Sequence, residues 1–233
     1  MNKKVILFDL DGTLLPMDAR LFEKTYFGLL AKYMSNYGYK PKQLINVVIT
    51  GVNAMVANNG SKTNEEVFWE TFAKFYGENA LKDQSHFEDF YRGHFDEVQS
   101  TCGFLKEAND TIKILKEKGY RLALTTNPVF PAIATQKRIK WAGLDKDDFE
   151  IVTTYEDYHY CKPNSKYFQE VIDNLGVKAE DCIMVGNDMV EDLCAEELGI
   201  QMFMLTHNLI NRTNKDVSEY PNGSLQDLLN YLK

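Results

Sequence analysis

Two carboxylates separated by one residue follow the first apolar run of the chain. Asp9 and Asp11 belong to the segment Asp-Leu-Asp-Gly-Thr, which comes directly after the run at residues 4–8. Two acids held close together repel each other, so such a pair requires a cation or a shared proton. A compact site of oxygen ligands suits Mg²⁺. The alternative is an ordinary turn and helix N-cap, since Asp and Gly favour those positions.

Polar groups also follow three later apolar runs. Thr126 and Asn127 end one run, Lys162 precedes a proline, and the acids Asp188 and Asp192 follow another run. A hydroxyl, an amide and an ammonium can each bind a phosphoryl oxygen, and the lysine can also balance the carboxylates. Taken singly, these groups fit a turn, a solvated lysine and acids that pair with a helix dipole. Their combination indicates a common site.

Short apolar runs alternate with helical patterns over most of the chain. Continuous apolar runs are typical of strands buried on both faces of a parallel sheet, and they lie at residues 4–8, 121–126, 182–185 and 201–205, with a weaker one at 150–153. Helical patterns, each followed by a glycine, lie at residues 109–118, 165–175 and 190–198. This alternation predicts an α/β fold with a doubly wound, Rossmann-like parallel sheet. Ligands bind at the carboxyl ends of the strands in such sheets.

Residues 18–99 break this alternation. Four amphipathic helical patterns follow one another there, and no convincing strand separates them. Thr63 and Glu66 form a capping-box pattern at the start of the third. The stretch is therefore predicted to be an all-helical insert.

The position of the insert defines the predicted domains. We predict an α/β core domain of residues 1–16 and 101–233, with a helical cap domain of residues 17–100 inserted into it. The two passages that join them, Leu15–Asp18 and Gln99–Phe104, are the predicted hinges.

The charge balance restricts the partners. The chain has 233 residues, a formal net charge of -8 and a sequence pI of about 5.1. Such a protein repels the phosphates of nucleic acid, so we predict no nucleic-acid partner. A phosphate substrate would need local positive charge from a metal ion or a placed lysine.

The N-terminal apolar run and the cysteines indicate the cellular compartment of the protein. The run ends in acid at Asp9, too early for a signal peptide or a membrane span, so we predict no membrane partner. The four cysteines show no CxxC spacing and are interpreted as reduced thiols. Both features predict a cytoplasmic protein, and neither decides its oligomeric state.

In their order along the chain, the segments DLDGTLL, TTN, KP and GNDMVED resemble the signature of the haloacid dehalogenase-like hydrolase superfamily. The resemblance covers residues 4–17 and 101–206, and DLDGTLL is its most specific motif. The helical insert resembles the cap of the branch that contains phosphoglycolate phosphatases and β-phosphoglucomutases. The resemblance implies phosphoryl-transfer chemistry.

The resemblance also implies roles for the two leading acids. Asp9 is the expected nucleophile, which forms an aspartyl-phosphate. Asp11 is the expected acid and base, which protonates the leaving oxygen and then takes a proton from the attacking water. Dehalogenases of this superfamily usually lack an acid at that position, so Asp11 disfavours a dehalogenase.

The remaining motifs are implied to bind the phosphoryl group. Thr126 and Lys162 are expected to hold its oxygens, with Asn127 in support. Asp192 is expected to orient Lys162 or a metal-bound water.

A Mg²⁺ cofactor is implied as well, held by the side chain of Asp9, the backbone carbonyl of Asp11 and a residue of the last motif. Many relatives have Gly-Asp where this chain has Gly-Asn, so either Asn187 or Asp188 supplies that ligand. We favour Asp188, because an anionic oxygen is the better ligand for a hard cation.

These inferences predict a magnesium-dependent phosphatase for a small phosphorylated metabolite, since a closing cap would exclude water and large substrates. One alternative is a phosphomutase that returns the phosphoryl group to a substrate hydroxyl. Another is a non-catalytic regulatory protein on the same fold. The sequence decides neither the physiological substrate nor the choice between phosphatase and mutase.

Overall fold

The sheet is built from five parallel strands. In the computed structural model, which describes residues 5–213 and 215–232, these are β1 Val5–Phe8, β2 Arg121–Leu124, β3 Cys182–Gly186, β4 Gln201–Leu205 and β5 Asn222–Gly223. Their order across the sheet is β2-β1-β3-β4-β5. Lys4, the first residue of the predicted first strand, lies outside the described residues.

The three strands that precede the motifs end level with one another. Phe8, the last residue of β1, pairs with Leu124 of β2 on one side and with Val185 of β3 on the other. Because all three run parallel, the segments that follow them meet at one edge of the sheet.

The prediction of a strand at residues 150–153 is wrong. Only Val152 forms a bridge there, parallel to Leu124 of β2. The run contains just two apolar residues, Ile151 and Val152, and the chain enters a turn at Tyr155. Backbone hydrogen bonds from Glu150 N to Leu122 O at 2.8 Å and from Thr153 N to Leu124 O at 3.0 Å keep the segment alongside β2, but it forms no strand of its own.

Helices occupy both the insert and the rest of the chain. They are α1 Ala19–Met34, α2 Pro41–Val56, α3 Asn64–Tyr76, α4 Gln84–Arg92, α5 Lys106–Glu117, α6 Ala132–Trp141, α7 Ser165–Leu175 and α8 Leu225–Tyr231. The predicted patterns at residues 109–118 and 165–175 correspond to α5 and α7. Helix α6 had no predicted counterpart.

The predicted α-helix at residues 190–198 is wrong. The chain forms turns after Asp188 and then a 3₁₀ segment, Leu193–Leu198. Asp188 Oδ1 accepts hydrogen bonds from the backbone N–H groups of Val190 and Glu191 at 2.8 and 3.1 Å. Such local side-chain bonds compete with the hydrogen-bonding pattern of an α-helix.

The insert is helical, as predicted. The capping box at the start of α3 is present, with Thr63 and Glu66 each bonding the other's backbone. The apolar pattern that predicts the fourth helix, Phe87, Phe90, Tyr91 and Phe95, extends beyond the helix itself. The helix ends at Arg92, and Phe95 lies on a 3₁₀ segment, His94–Thr101, because Gly93 breaks the helix between them.

The two passages between insert and sheet lie side by side. Met17 and Cys102 form an antiparallel bridge, and Gly103 N donates to Pro16 O at 2.7 Å. Two adjacent connections of this kind are where one would expect a hinge. The domain boundaries themselves stay a prediction.

The core covers both faces of the sheet. Side chains alternate along β1, so that Ile6 and Phe8 belong to one apolar cluster while Val5 and Leu7 belong to another. The first cluster continues into the insert through Phe22, whose ring meets those of Phe95 and Phe130 edge to face. The insert is therefore packed against the sheet. Within the described residues, no helix combines the length and apolarity needed to cross a membrane.

Candidate active site

Asp9 is the first residue after β1. Its backbone N–H continues the ladder by donating to Val185 O at 3.0 Å, and its side chain is almost fully buried. Lys162 Nζ donates to its Oδ1 at 2.9 Å. Burial raises the pKa of Asp9, and the Lys162 ammonium opposes that rise. The Lys162 ammonium thus favours the ionised form of Asp9, which is the form that a nucleophile requires.

Lys162 links two buried carboxylates. Besides Asp9, it contacts Asp192, whose Oδ1 accepts from Nζ at 2.6 Å. Burial alone would lower the pKa of Lys162, but the charges of Asp192 and Asp9 outweigh it and raise the pKa well above its usual value. The lysine is therefore a fixed positive charge at the base of the site.

Asp192 also organises the turn after β3. Its Oδ2 accepts from the backbone N–H groups of Asn187 and Asp188, both at 2.9 Å. Burial is the main cause that raises the pKa of Asp192 to about 6, against the opposing effect of Lys162. A side chain at Gly186 would place a Cβ 2.1 Å from this oxygen, so only glycine fits there.

Asn187 connects this turn to the first motif. Its Oδ1 accepts from Thr13 Oγ1 at 2.9 Å, and its Nδ2 donates to Asn208 O at 2.8 Å. Gly12, with a φ of 85°, lies so close that a Cβ there would be 2.4 Å from the amide nitrogen. Both ends of the Asn187 amide are therefore used in holding loops together.

Asp188 faces the cleft. Its Oδ1 accepts the two backbone bonds that shape the turn, and its Oδ2 pairs with Arg212 Nη1 at 3.1 Å. Arg212 is itself mostly exposed. The carboxylate is thus oriented by backbone on one side and lies at the cleft wall, paired with Arg212, on the other.

The segment after β2 supplies hydroxyl and amide groups. The carbonyl of Thr126 accepts from Thr153 Oγ1 at 2.6 Å and from the Tyr167 hydroxyl at 3.0 Å, which holds the residue at the cleft wall. Asn127 Oδ1 accepts from Lys162 N at 3.2 Å, and its Nδ2 donates to Glu191 at 3.1 Å. Asn127 therefore ties the second motif to the third and the fourth.

Asp11 has a partner that the sequence did not predict. Arg138, in α6, is buried and donates from Nη1 to Asp11 Oδ2, while its Nη2 donates to Thr135 Oγ1 at 3.2 Å. Among the described residues, Asp11 Oδ1 has no hydrogen-bond partner. A basic residue in an amphipathic helix is ordinarily interpreted as solvent-exposed, so nothing in the sequence marked Arg138.

A cleft of about 890 Å³ joins these groups. The predicted site residues along its wall are Asp9, Asp11, Thr126, Asn127, Asp188 and Asp192. Lys162 lies beneath them and touches the site through Asp9 and Asp192. Arg20, Glu191 and Arg212 also line the cleft, and Glu191 was not a predicted site residue. Burial raises the pKa of Glu191.

The donor set fits a hard cation. In the described parts of the chain, no three side chains of His, Cys, Asp or Glu cluster as metal ligands. The predicted site needs only two carboxylates, those of Asp9 and Asp188, together with the backbone carbonyl of Asp11. Oxygen ligands of this small number, completed by water, are what Mg²⁺ takes in proteins.

Comparison with known proteins agrees with the motifs. A family model described as haloacid dehalogenase-like hydrolase matches residues 3–199. Pyrophosphatase PpaX of Bacillus mycoides is 23% identical over 231 residues, which is 98% of this chain and 96% of that protein.

Solved structures match over nearly the whole chain. A phosphatase from Thermococcus onnurineus superposes with a TM-score of 0.61 at 21% identity and covers 98% of this chain and 97% of its own. A 2-haloacid dehalogenase from Pseudomonas syringae gives a TM-score of 0.67 at 19% identity, with 99% and 98% covered. At such identities the matches show the fold, and they confirm the predicted α/β class with its parallel sheet.

Proposed function

Since the chain belongs to the haloacid dehalogenase-like hydrolase family, we propose that it is a magnesium-dependent phosphatase that acts through an aspartyl-phosphate on Asp9. The family match confirms the resemblance inferred from the motifs and the prediction of a hydrolase. The observation that carries the proposal is the buried Asp9–Lys162–Asp192 array at the end of β1. Its substrate is a small phosphorylated metabolite.

In the first step, a carboxylate oxygen of Asp9 attacks phosphorus and the bond from phosphorus to the ester oxygen breaks. Lys162 contacts Oδ1 of Asp9, which leaves the second oxygen for the attack. Asp11, at the cleft wall, gives a proton to the departing oxygen. The products are an alcohol and the phosphorylated Asp9.

In the second step, water attacks the phosphorus of the aspartyl-phosphate. Asp11 takes a proton from that water, and the bond between phosphorus and the Asp9 oxygen breaks to release inorganic phosphate. Each turnover restores both carboxyl groups to their starting states.

Positive charge is needed because the chain as a whole carries a net charge of -8. Lys162 supplies it from beneath the site and stays protonated between its two carboxylates. Thr126 and Asn127 add donors at the cleft wall. Fixed donors aimed at developing charge are among the largest contributions to catalysis.

The metal would be held by the Asp9 side chain, the Asp11 carbonyl and Asp188. When bound, Mg²⁺ neutralises phosphoryl charge. The choice of Asp188 over its neighbour is supported by Asn187, whose amide is engaged at both ends. Asp192 then has a positioning role, since it holds Lys162 and the backbone of the turn.

The test is hydrolysis of p-nitrophenyl phosphate with and without Mg²⁺, comparing the wild-type enzyme with Asp9→Asn. The matched control is Asp147→Asn, an exposed aspartate remote from the cleft. We expect metal-dependent turnover in the wild type and the control, and none in Asp9→Asn. Turnover that survives in Asp9→Asn would rule out the aspartyl-phosphate. If the wild type is inactive on this ester, a phosphorylated-metabolite panel with the same variants decides the matter.

A further inference from the structure

A second cavity, of about 270 Å³, lies between the insert and the loop after β2. Aromatic rings from α1, α3, α4 and that loop form much of its wall, among them Phe22, Tyr26, Trp69, Phe87, Tyr91 and Phe130. The rings pack against one another, with Trp69 and Phe87 edge to face at 5.3 Å between centroids. Ring faces of this kind attract cations as well as apolar groups.

The charged residues at this cavity all carry the same sign. Glu23, Glu65 and Glu88 line it, and the described lining residues include no Lys, Arg or His. Glu88 pairs with the exposed Arg92, whereas no described lysine or arginine forms an ion pair with Glu23 or Glu65. The wall is therefore aromatic and negatively charged.

Among the three carboxylates at the wall, Glu65 has a pKa raised by other negative charges. Partial burial is the main cause that raises its pKa, and the nearby carboxylates of Glu156 and Glu88 raise it further. A position in the first turn of α3 accounts for Glu65, and Glu156 accepts from Ala132 N at 2.8 and 3.1 Å. The charges of Glu156 and Glu88 still act on Glu65, against the opposing effect of a hydrogen bond from Tyr155. A cation in the cavity would relieve this repulsion.

The buried arginine next to the cavity wall already has a partner. Arg138 lies behind Phe130, with its guanidinium carbon 4.6 Å from the ring centroid. It is buried there and paired with Asp11. It does not line the cavity, so it does not balance the charges of Glu23 and Glu65.

The cavity adjoins the catalytic cleft. Glu23 lines both, and its neighbours along α1 divide between them, with Arg20 on the cleft and Phe22 on the cavity. Glu23 therefore marks the boundary between the two, where a molecule that carries a phosphate at one end would pass from the cleft into the cavity. The rest of such a molecule would meet the aromatic wall.

We propose that the aromatic cavity binds the organic part of the substrate and selects a hydrophobic ammonium, so that the substrate is a phosphate monoester of an apolar amino alcohol. The assignment of the ester rests on the proposed phosphatase function. The ammonium lies against the ring faces and near Glu65, while the hydrocarbon fills the apolar remainder of the cavity.

Binding can be measured without any hydrolysis. Isothermal titration calorimetry would compare phenethylammonium with 2-phenylethanol, which has the same ring and chain but no charge. We expect the ammonium to bind the wild-type protein at least about tenfold more tightly than the alcohol. Equal affinities, or no binding of either, would overturn the proposal.

A charge variant locates the site. Glu65→Gln keeps the shape and removes the charge, and Glu78→Gln is the matched control because Glu78 is exposed in the insert and does not line the cavity. We expect Glu65→Gln to weaken phenethylammonium binding by about tenfold and leave 2-phenylethanol unchanged, and the control to change neither. An equal effect of the two variants would place the cation elsewhere and overturn the assignment.

The substrate class is tested by comparing kcat/KM for 2-amino-3-phenylpropyl phosphate and 3-phenylpropyl phosphate. We expect the amine ester to be preferred by about tenfold, and the preference to disappear in Glu65→Gln. No preference would overturn the substrate class. Asp9→Asn separates the two proposals, because it should abolish hydrolysis and leave phenethylammonium binding intact. Ammonium binding without hydrolysis of any ester would contradict the phosphatase alone.

Discussion

The buried guanidinium of Arg138 pairs with the carboxylate of Asp11 across 127 positions of sequence. The same guanidinium lies over Phe130, whose ring contacts Phe22 of α1 edge to face. The proposed acid and base of the cleft is thus held by a residue that also packs on the wall of the aromatic cavity. Arg138 is a positioning residue for Asp11.

Replacing Arg138 with methionine should therefore impair catalysis more than binding. Without its partner, the Asp11 carboxylate is no longer held in place, and misplacement of a catalytic group can cost up to about 100-fold in rate. We expect Arg138→Met to lower kcat while KM changes little, and to lower the free energy of unfolding by about 1–3 kcal/mol. Steady-state kinetics and urea unfolding measure the two effects.

The matched control is Lys106→Met, since Lys106 is largely exposed and pairs with Asp110 on the surface, away from both the cleft and the cavity. Exposed pairs of this kind contribute at most about 1 kcal/mol. An Arg138→Met enzyme as active and as stable as Lys106→Met would show that the Asp11 contact has no role.

The two candidate ligands of the last motif should respond differently to substitution. Asp188→Asn should raise the Mg²⁺ concentration for half-maximal activity by about tenfold or more, because it removes an anionic oxygen. Asn187→Leu should chiefly lower stability, by about 1–3 kcal/mol, because Thr13 and Asn208 lose their partners. Magnesium titrations of activity and urea unfolding check both. The reverse pattern would assign the metal to Asn187.

Two glycines should respond in opposite directions to alanine. At Gly186 a Cβ would lie 2.1 Å from Asp192 Oδ2, so Gly186→Ala should displace that carboxylate and lower both stability and activity. At Gly28, in α1, a Cβ meets no atom within 4 Å, so Gly28→Ala should raise the free energy of unfolding by about 0.5–1 kcal/mol. Urea unfolding of both variants gives the comparison. A harmless Gly186→Ala would mean that Asp192 can move without loss.

Alkaline pH should destabilise the fold through buried tyrosines. Tyr26 shares a 2.7 Å hydrogen bond with Tyr91, and burial raises the pKa of Tyr26 to about 12. Between pH values of about 10 and 12, the unfolded chain loses this proton while the folded chain keeps it. The contribution is therefore complete below about pH 10 and is lost as pH rises, by up to about 1.4 kcal/mol per pH unit for this group.

The measurement is urea unfolding at pH values of about 9 and 11 for the wild type, Tyr26→Phe and the control Tyr231→Phe, whose ring is exposed. The wild type and the control should lose the same free energy between the two pH values. Tyr26→Phe should lose less, because one buried hydroxyl no longer titrates. Equal losses in all three proteins would contradict the role of Tyr26.

The sequence by itself determined the elements and the edge at which the site forms. The apolar run before Asp9 and the run that ends in Thr126 are local patterns, and parallel strands of this length align their carboxyl ends. The capping box at Thr63 could be predicted because it depends on residues three apart. The family followed from four short motifs in a fixed order.

Only the tertiary structure determined the contacts between residues that lie far apart in the sequence. Thr13 and Asn187 meet across 174 positions, and that contact engages the amide that the sequence left as a candidate ligand. Burial decided the role of Arg138, because a helical pattern does not distinguish a solvated arginine from one that α6 turns toward Asp11. The aromatic cavity exists only because four helices of the insert, α1 to α4, close over the loop after β2. The periodicity of a sequence shows which face of a helix is apolar. The size and shape of a cavity between packed helices depend on how the side chains of all these helices fit together, which no single helical pattern contains.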